Sequence, residues 1–363
     1  MELHRMLSGA NRYVQGRNLL DQVGAECAQH GWRRIYAVGG PHGLAAAWPA
    51  IRAGLEARGI SHVLREFTGF NTAGEIEAAA REAAGESCAV IAGIGGGKAL
   101  DLAKAAAALA GLPVVTVPTS AATCAAFAPL SIVYDEGGRQ AESRFHSFEV
   151  SAVFVDLDII AAAPARLLAA GMADALAKSC EYSSAFPSLR YGDIDTAKYC
   201  GYRLALAGDE GLLSCGPQAY RDALEGRATQ ALEDAVFLSI ANIGVVSGLC
   251  GYTNKPGGRF AIAHGFNELI RGRWVPDPRR WLHGELVAVG ILAQLRVNRV
   301  PAERIEAVRR FFQTIRVPVS LTQLGMELDA AQLAAFQEEV VANTSMDPAL
   351  HPRIRQAVAG VLR

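Results

Sequence analysis

The stretch CAVIAGIG, residues 88–95, constrains this chain more than any other. It is an almost unbroken apolar run of strand length that ends in glycine, and the helical pattern GKALDLAKAAAALAG (97–111) follows at once. A strand that is apolar on both faces must be covered on both faces, which points to a parallel sheet flanked by helices. Neighbouring segments repeat the pattern. RRIYAVGG (33–40), SHVLREF (61–67), PVVTVPT (113–119) and SAVFVD (151–156) read as strands. GLAAAWPAIRAGLEARG (43–59) and AGEIEAAAREAAG (73–85) read as helices between them. LSIVYDEGGRQAESRF (130–145) alternates in polarity around Glu136-Gly137-Gly138 and predicts a hairpin.

After Asp156 the strand signals nearly stop. Residues 158–185, 231–251 and 284–300 carry apolar side chains at helical spacing. The expected fold is therefore an α/β half with a parallel sheet, residues 1–160, followed by an all-α half, residues 161–363. Residues 186–230 give no pattern that can be interpreted. At 363 residues, 51% hydrophobic and 20% charged, the chain has room for a sizeable core. A net charge of -1 argues against nucleic acid as the main partner, which usually needs a basic face. The longest apolar runs are Ala-rich and broken by Lys, Gly or Pro, so no membrane span is expected, and the start of the chain has no signal-peptide pattern. Seven cysteines without a CxxC pair fit reduced thiols. A cytoplasmic globular protein is the expectation.

In IAGIGGGKALDLAKA (91–105), Gly93, Gly95, Gly96 and Gly97 sit where a strand passes into a helix. Glycines there let the backbone approach a phosphate, and the unpaired N–H groups of a helix's first turn favour an anion. The spacing is neither GxGxxG nor a P-loop. A tight turn without a ligand is the plainer explanation, but it needs fewer glycines than these. Two histidines, His264 and His283, each open a helical pattern with the turn-rich RWVPDPRR between them, and Asp174 lies among small apolar residues of a helix. Two imidazoles and a carboxylate would make a three-ligand site with an open position, as catalytic zinc or iron requires. Equally, Asp174 could pair with Lys178 at i,i+4, and each histidine could be a cap or a core residue.

The segments GIGGGKALDLAKAAA, LPVVTVPTSAATCAAFAPLSIVYDEGG, APARLLAAGMADALAK and LHGELVAVGIL, in this order, closely resemble the glycerol dehydrogenase and hydroxycarboxylate dehydrogenase branch of the iron-containing (group III) alcohol dehydrogenases. The likeness runs from YVQG near the start to about residue 325. It implies the dehydroquinate synthase-like fold of that family, a dinucleotide-binding α/β domain and a helical domain, with a divalent metal, zinc or iron, in the cleft between them. By matching position, the resemblance implies that Asp174, His264 and His283 are the metal ligands and catalytic centre. It places the pyrophosphate loop on Gly95, Gly96, Gly97 and Lys98, with further cofactor positions at Thr119, Leu130 and Tyr134. Asp101 falls where the family usually keeps an acid facing the cofactor cleft. A homo-oligomer is implied as well.

Three positions depart from the family pattern. The Asp that holds a substrate hydroxyl in glycerol dehydrogenases is Cys124 here, in the substrate pocket, which should weaken polyol binding. The Asp that binds the adenosine ribose in NAD-specific members is Gly40, so NADP becomes possible alongside NAD. The second histidine expected three residues after His264 is Asn267, which cannot titrate. The resemblance, with the Cys124 and Gly40 departures, implies a metal-dependent NAD(P)(H) oxidoreductase that interconverts a small alcohol or 2-hydroxy acid with its carbonyl compound and acts as a reductase of 2-oxo acids or aldehydes, with glycerol dehydrogenase as the alternative. A dehydroquinate synthase-like lyase would want a glutamate ligand and a basic phosphate site, which the sequence lacks. A dinucleotide-binding protein without catalysis is the remaining rival class.

Overall fold

The computed structural model describes residues 9–183, 189–250, 262–344 and 346–363. Eight strands fall in the first part: β1 Tyr13–Gly16, β2 Arg34–Gly39, β3 Ser61–Glu66, β4 Val90–Gly95, β5 Val114–Pro118, β6 Leu130–Tyr134, β7 Gln140–Phe145 and β8 Ala152–Asp156. Between them run helices α1 Gln22–Gln29, α2 Pro41–Glu56, α3 Ala73–Gly85 and α4 Gly97–Ala110. Six strands form one sheet in the order β1-β8-β5-β4-β2-β3, with every neighbouring pair parallel. β6 and β7 pair antiparallel as the expected hairpin, with an irregularity between Val133 and Tyr134.

Alternation along the strands builds two cores. Ile35 and Ala37 of β2, with Val90, Ala92 and Ile94 of β4, pack under Leu44, Trp48 and Ile51 of α2. Tyr36, Val38 and Ile91 face the other way, against α3 and α4, in a core that continues into the helical half. The strand order also fixes where a ligand can enter. β2 leads outward to β3, whereas β4 leads the other way to β5, so the chain reverses direction between β2 and β4. In such sheets the crevice opens at the carboxyl ends of the two strands flanking that reversal. Here those ends are Gly39-Gly40 and Gly95-Gly96.

From Leu157 onward the named elements are helical: α5 Leu157–Ala162, α6 Ala165–Ala175, α7 Ala177–Ser183, α8 Thr196–Leu224, α9 Gln230–Phe237, α10 Ile243–Leu249, α11 Ile262–Leu269, α12 His283–Val297, α13 Ala302–Thr314, α14 Ala330–Ala342 and α15 His351–Ala359. The single helix expected over 158–185 is divided, because Pro164 forces Ala163 into an extended conformation (φ -72, ψ 156). Residues 184 and 185 of that expectation lie outside the described residues. The helix expected over 231–251 continues from α9 into α10 through a π-helical turn, Leu238–Asn242, and its last residue is likewise outside. Gln230–Leu249 is long and apolar enough to cross a membrane by composition, but 61% of it is buried inside the protein, as in a core helix. Residues 186–230, uninterpretable as sequence, hold the 29-residue α8.

Candidate active site

Two glycines bring the helices of the three candidate ligands to backbone contact. A Cβ on Gly284, beside His283, would stand 1.9 Å from the carbonyl oxygen of Ala170 on α6. A Cβ on Gly290 would stand 2.5 Å from the carbonyl of Ala263, the residue before His264. Only glycine permits such approaches, so α12 lies directly on both α6 and α11. Asp174, His264 and His283 thereby converge, each offering one ligand atom within 4.8 Å of the others.

Asp174 Oδ1 is 3.4 Å from His264 Nε2 and 3.4 Å from His283 Nε2. That same oxygen is buried and has no hydrogen-bond partner, an arrangement that costs free energy unless something else satisfies it. Ligands of a tetrahedral zinc at bond lengths near 2.0–2.1 Å stand roughly 3.3 Å apart. The spacing and the orphaned oxygen thus fit a divalent cation held by this oxygen and the two ring nitrogens. Burial opposes the charge on Asp174, but His283 and then His264 outweigh it and hold the carboxyl well below its ordinary range. Burial likewise opposes a charge on His264, yet Glu181 raises it to about 9.

Glu181 was not a candidate in the sequence. Its Oε1 accepts from His264 Nδ1 at 2.6 Å and from the His264 backbone N–H at 3.0 Å. The signal was present, since Asp174, Lys178 and Glu181 are spaced i, i+4 and i+7, one face of a nearly continuous helix. Lys178 is half-buried. Burial disfavours its charge, but Glu181, Asp174 and Cys124, all within electrostatic reach, more than offset that. Cys124 lies on the loop after β5; burial first, and then Asp174, push its thiol up to about 11. A Cβ on Gly171 would stand 1.7 Å from the carbonyl of Ala121, so this loop rests on the backbone of α6 near Asp174.

On the sheet side, Gly95 has φ +139, open only to glycine, and Gly96 caps α4 with an extended backbone and no side-chain hydrogen bond. The first amides of α4 are therefore available to an anion. Gly40 caps α2 next to this loop: a Cβ on Gly95 would lie 3.7 Å from the Gly40 nitrogen. The Thr119 N–H donates to the Gly95 carbonyl at 3.0 Å. Lys98 places Nζ 4.2 Å over the Phe70 ring, and Tyr134 packs on the same ring with centroids 5.4 Å apart. Arg271 and Arg279, from the helical half, add positive charge near Lys98.

Asp101, expected to face the cleft, is 6% exposed and spends its carboxylate within the protein. Oδ1 pairs with Lys104 Nζ at 2.9 Å, and Oδ2 accepts from the Ile132 N–H at 3.1 Å. Lys104, fully buried, also donates to the carbonyls of Ala125, Ala128 and Leu130. This pair ties α4 to the loop that carries Cys124 and anchors Leu130, while the Tyr134 N–H donates to the Asn71 carbonyl. Asn267 is buried and accepts from Arg271 Nε at 3.4 Å.

The profile of the family described as Fe-ADH, iron-containing alcohol dehydrogenase, matches residues 10–158. Hydroxycarboxylate dehydrogenase A of Escherichia coli (strain K12) is 33% identical over 308 residues, covering 84% of this chain and 80% of that protein. The crystal structure of glycerol dehydrogenase from Schizosaccharomyces pombe shares the fold with a TM-score of 0.83 at 24% identity, over 99% of this chain and 91% of that one. Glycerol dehydrogenase of Escherichia coli O6:H1 is 30% identical over 357 residues, covering 94% of this chain and 92% of that protein. A relative matched almost end to end at that identity establishes the lineage, and the chain belongs to the iron-containing alcohol dehydrogenase family.

Proposed function

We propose that this metal-dependent oxidoreductase of alcohols and carbonyl compounds works chiefly as a reductase of small 2-oxo acids or aldehydes, using NADPH or NADH. The observation that carries the reading is the convergence of Asp174 Oδ1, His264 Nε2 and His283 Nε2, with Cys124 within electrostatic reach of Asp174. When bound, a divalent cation, zinc or iron, supplies a Lewis acid for the substrate oxygen, and the dinucleotide supplies the hydride.

The chain's own groups divide the remaining work. Asp174, His264 and His283 hold the cation. Gly95, Gly96, Gly97 and the first amides of α4 cradle the pyrophosphate, with Lys98 at their edge and Thr119, Leu130 and Tyr134 lining the cofactor side. Gly40 offers no carboxylate to repel a ribose phosphate, which supports use of NADPH. Cys124 keeps its thiol neutral and so lacks the charged acceptor that a polyol hydroxyl would want. Lys178, on the Cys124 side, suits a substrate carboxylate. Asn267 is engaged with Arg271 and cannot carry a proton, so solvent delivers the proton that the product oxygen takes up. Residues 1–160 and 161–363 serve as the dinucleotide domain and the metal and substrate domain. Free thiols at all seven cysteines support a cytoplasmic setting. A homo-oligomer is proposed by family likeness.

Glycerol dehydrogenase remains the second reading, favoured by the length over which the relative of that name matches. Oxidation of NADPH and NADH by the metal-loaded protein separates the two, with a 2-oxo acid, a simple aldehyde and dihydroxyacetone, each with and without chelator. Chelator-sensitive turnover of the oxo acid or aldehyde, but not of dihydroxyacetone, is expected. Turnover of dihydroxyacetone with NADH alone would move the protein to the second reading.

A further inference from the structure

Seven residues beyond Asp174, one oxygen of Glu181 serves two donors of the same residue. Oε1 receives the ring Nδ1 of His264 at 2.6 Å and its backbone N–H at 3.0 Å. His264 is in the first turn of α11, where backbone N–H groups have no acceptor within the helix. From the last turn of α7, Glu181 therefore caps α11 and holds its histidine with a single oxygen.

We propose that Glu181 is the positioning residue that makes His264 a competent metal ligand. A neutral imidazole carries one N–H and one lone pair, and an ionised carboxylate can only accept. Once a cation takes the place of the second ring proton, contact with Oε1 keeps the remaining proton on Nδ1 and the lone pair on Nε2, the nitrogen 3.4 Å from Asp174 Oδ1. The backbone contact fixes the Cα end of the residue while the ring contact fixes its far side, so the imidazole cannot turn without breaking a bond to Glu181. Carboxylates placed behind ligating histidines typically contribute 10–100-fold to metal affinity.

Glu181→Gln is the informative change. A glutamine amide keeps the size of the side chain, but it can present N–H as readily as C=O, so it permits the tautomer with the proton on Nε2, which cannot ligate. Stripped protein would be titrated with Zn²⁺ against a chromophoric chelator, beside the NADH dissociation constant and the thermal midpoint of the metal-free protein. The expected result is a zinc dissociation constant raised about 10–100-fold, with NADH binding and the metal-free midpoint close to those of the parent. His264→Ala should weaken zinc binding further, and adding Glu181→Gln to it should change nothing more, because Glu181 acts through that ring. Zinc affinity unchanged in Glu181→Gln would overturn the proposal. So would a parallel loss of NADH affinity and thermal stability, or a full additional loss in the double variant, since each would show Glu181 acting other than through His264. If Glu181→Gln does not fold, Glu181→Asp takes its place, retaining the charge but falling a methylene short, and zinc affinity equal to the parent's overturns the proposal there too.

Discussion

Arg166 of α6 grips both carboxylate oxygens of Glu285 of α12, at 2.6 and 2.7 Å, and ties the helix of Asp174 to the helix that opens with His283. Glu285 is 2% exposed and also accepts the Leu282 N–H at 2.8 Å, while Arg166 donates to the Arg280 carbonyl at 2.6 Å. The start of α12, and hence the direction of His283, is held by this bidentate pair rather than by apolar packing alone.

Replacing Arg166 by Ala should therefore affect both stability and metal. It leaves Glu285 buried and short of a partner, which costs about 1–3 kcal/mol, the half-exposed guanidinium limiting the effect. Urea midpoints should fall accordingly, and zinc affinity several-fold, because α12 can shift against α6. An unchanged midpoint and metal affinity would mean that the Gly284 contact alone sets the geometry.

Lys178→Met probes the substrate. The ammonium lies on the metal side of α7, within electrostatic reach of Asp174 and Cys124, where a substrate carboxylate would meet it. The KM for a 2-oxo acid should rise on the order of tenfold or more, as for a lost charge-assisted hydrogen bond of about 1.5–3 kcal/mol. The KM for an uncharged aldehyde should hardly move. Equal changes for both substrates would remove Lys178 from substrate recognition.

Gly40→Asp tests the cofactor. Gly40 has extended backbone (φ -72, ψ 155) and open space at its Cβ position, with Phe67 O at 3.8 Å, so an aspartate can be placed there without strain. A carboxylate at this strand end can accept from the adenosine ribose and repels a ribose phosphate. The ratio of kcat/KM for NADPH to that for NADH should fall by about tenfold or more, equivalent to about 1.4 kcal/mol. A ratio that stays put would show that the adenosine end lies elsewhere.

Two buried groups give opposing pH dependences. His146, hydrogen-bonded to Ser131 Oγ at 2.9 Å, is pushed down from 6.5 to about 4 by burial, so the unfolded chain binds its proton more readily and stability falls as pH drops from 6.5 towards 4, by about 3 kcal/mol at most. Asp209 is raised from 3.8 to about 7, chiefly by burial, with Ser179 donating to one oxygen and the other unpartnered. Its folded form holds the proton longer, so its contribution is present below pH 3.8 and lost as pH rises through 7. Asp209→Asn should remove the second slope. Its urea midpoint should exceed the parent's above pH 7 and drop more steeply on acidification, and midpoints that run parallel from pH 4.5 to 8 would contradict this.

The sheet half was legible because its signals are local and strong. Runs such as VIAG and VVTV, of strand length between helical patterns, read as strands covered on both sides, and the glycines at 95–97 mark where one of them passes into a helix. Asp174, His264 and His283 were legible for another reason: a charge among small residues and two imidazoles at helix starts are rare enough to single out, and resemblance joined them. α8 was not legible. Its buried seam includes Gly201, Ala205, Gly208, Leu212, Gly216 and Ala219, which has helical period but almost no hydrophobic signal. Asp101 has a family position facing the cleft, yet Lys104 one turn on and the Ile132 amide draw it inward.

By itself, then, the sequence determined the class of fold, the glycine turn at the sheet's crevice and the three side chains able to hold a cation, because each follows from residue type, spacing within a few turns or likeness to a family. Tertiary structure alone decided what acts on those side chains. Glu181 on His264, Arg166 on Glu285 and the helix contacts at Gly284 and Gly290 join residues up to 119 positions apart. Such pairings depend on how close two backbones come, a distance that no local pattern encodes.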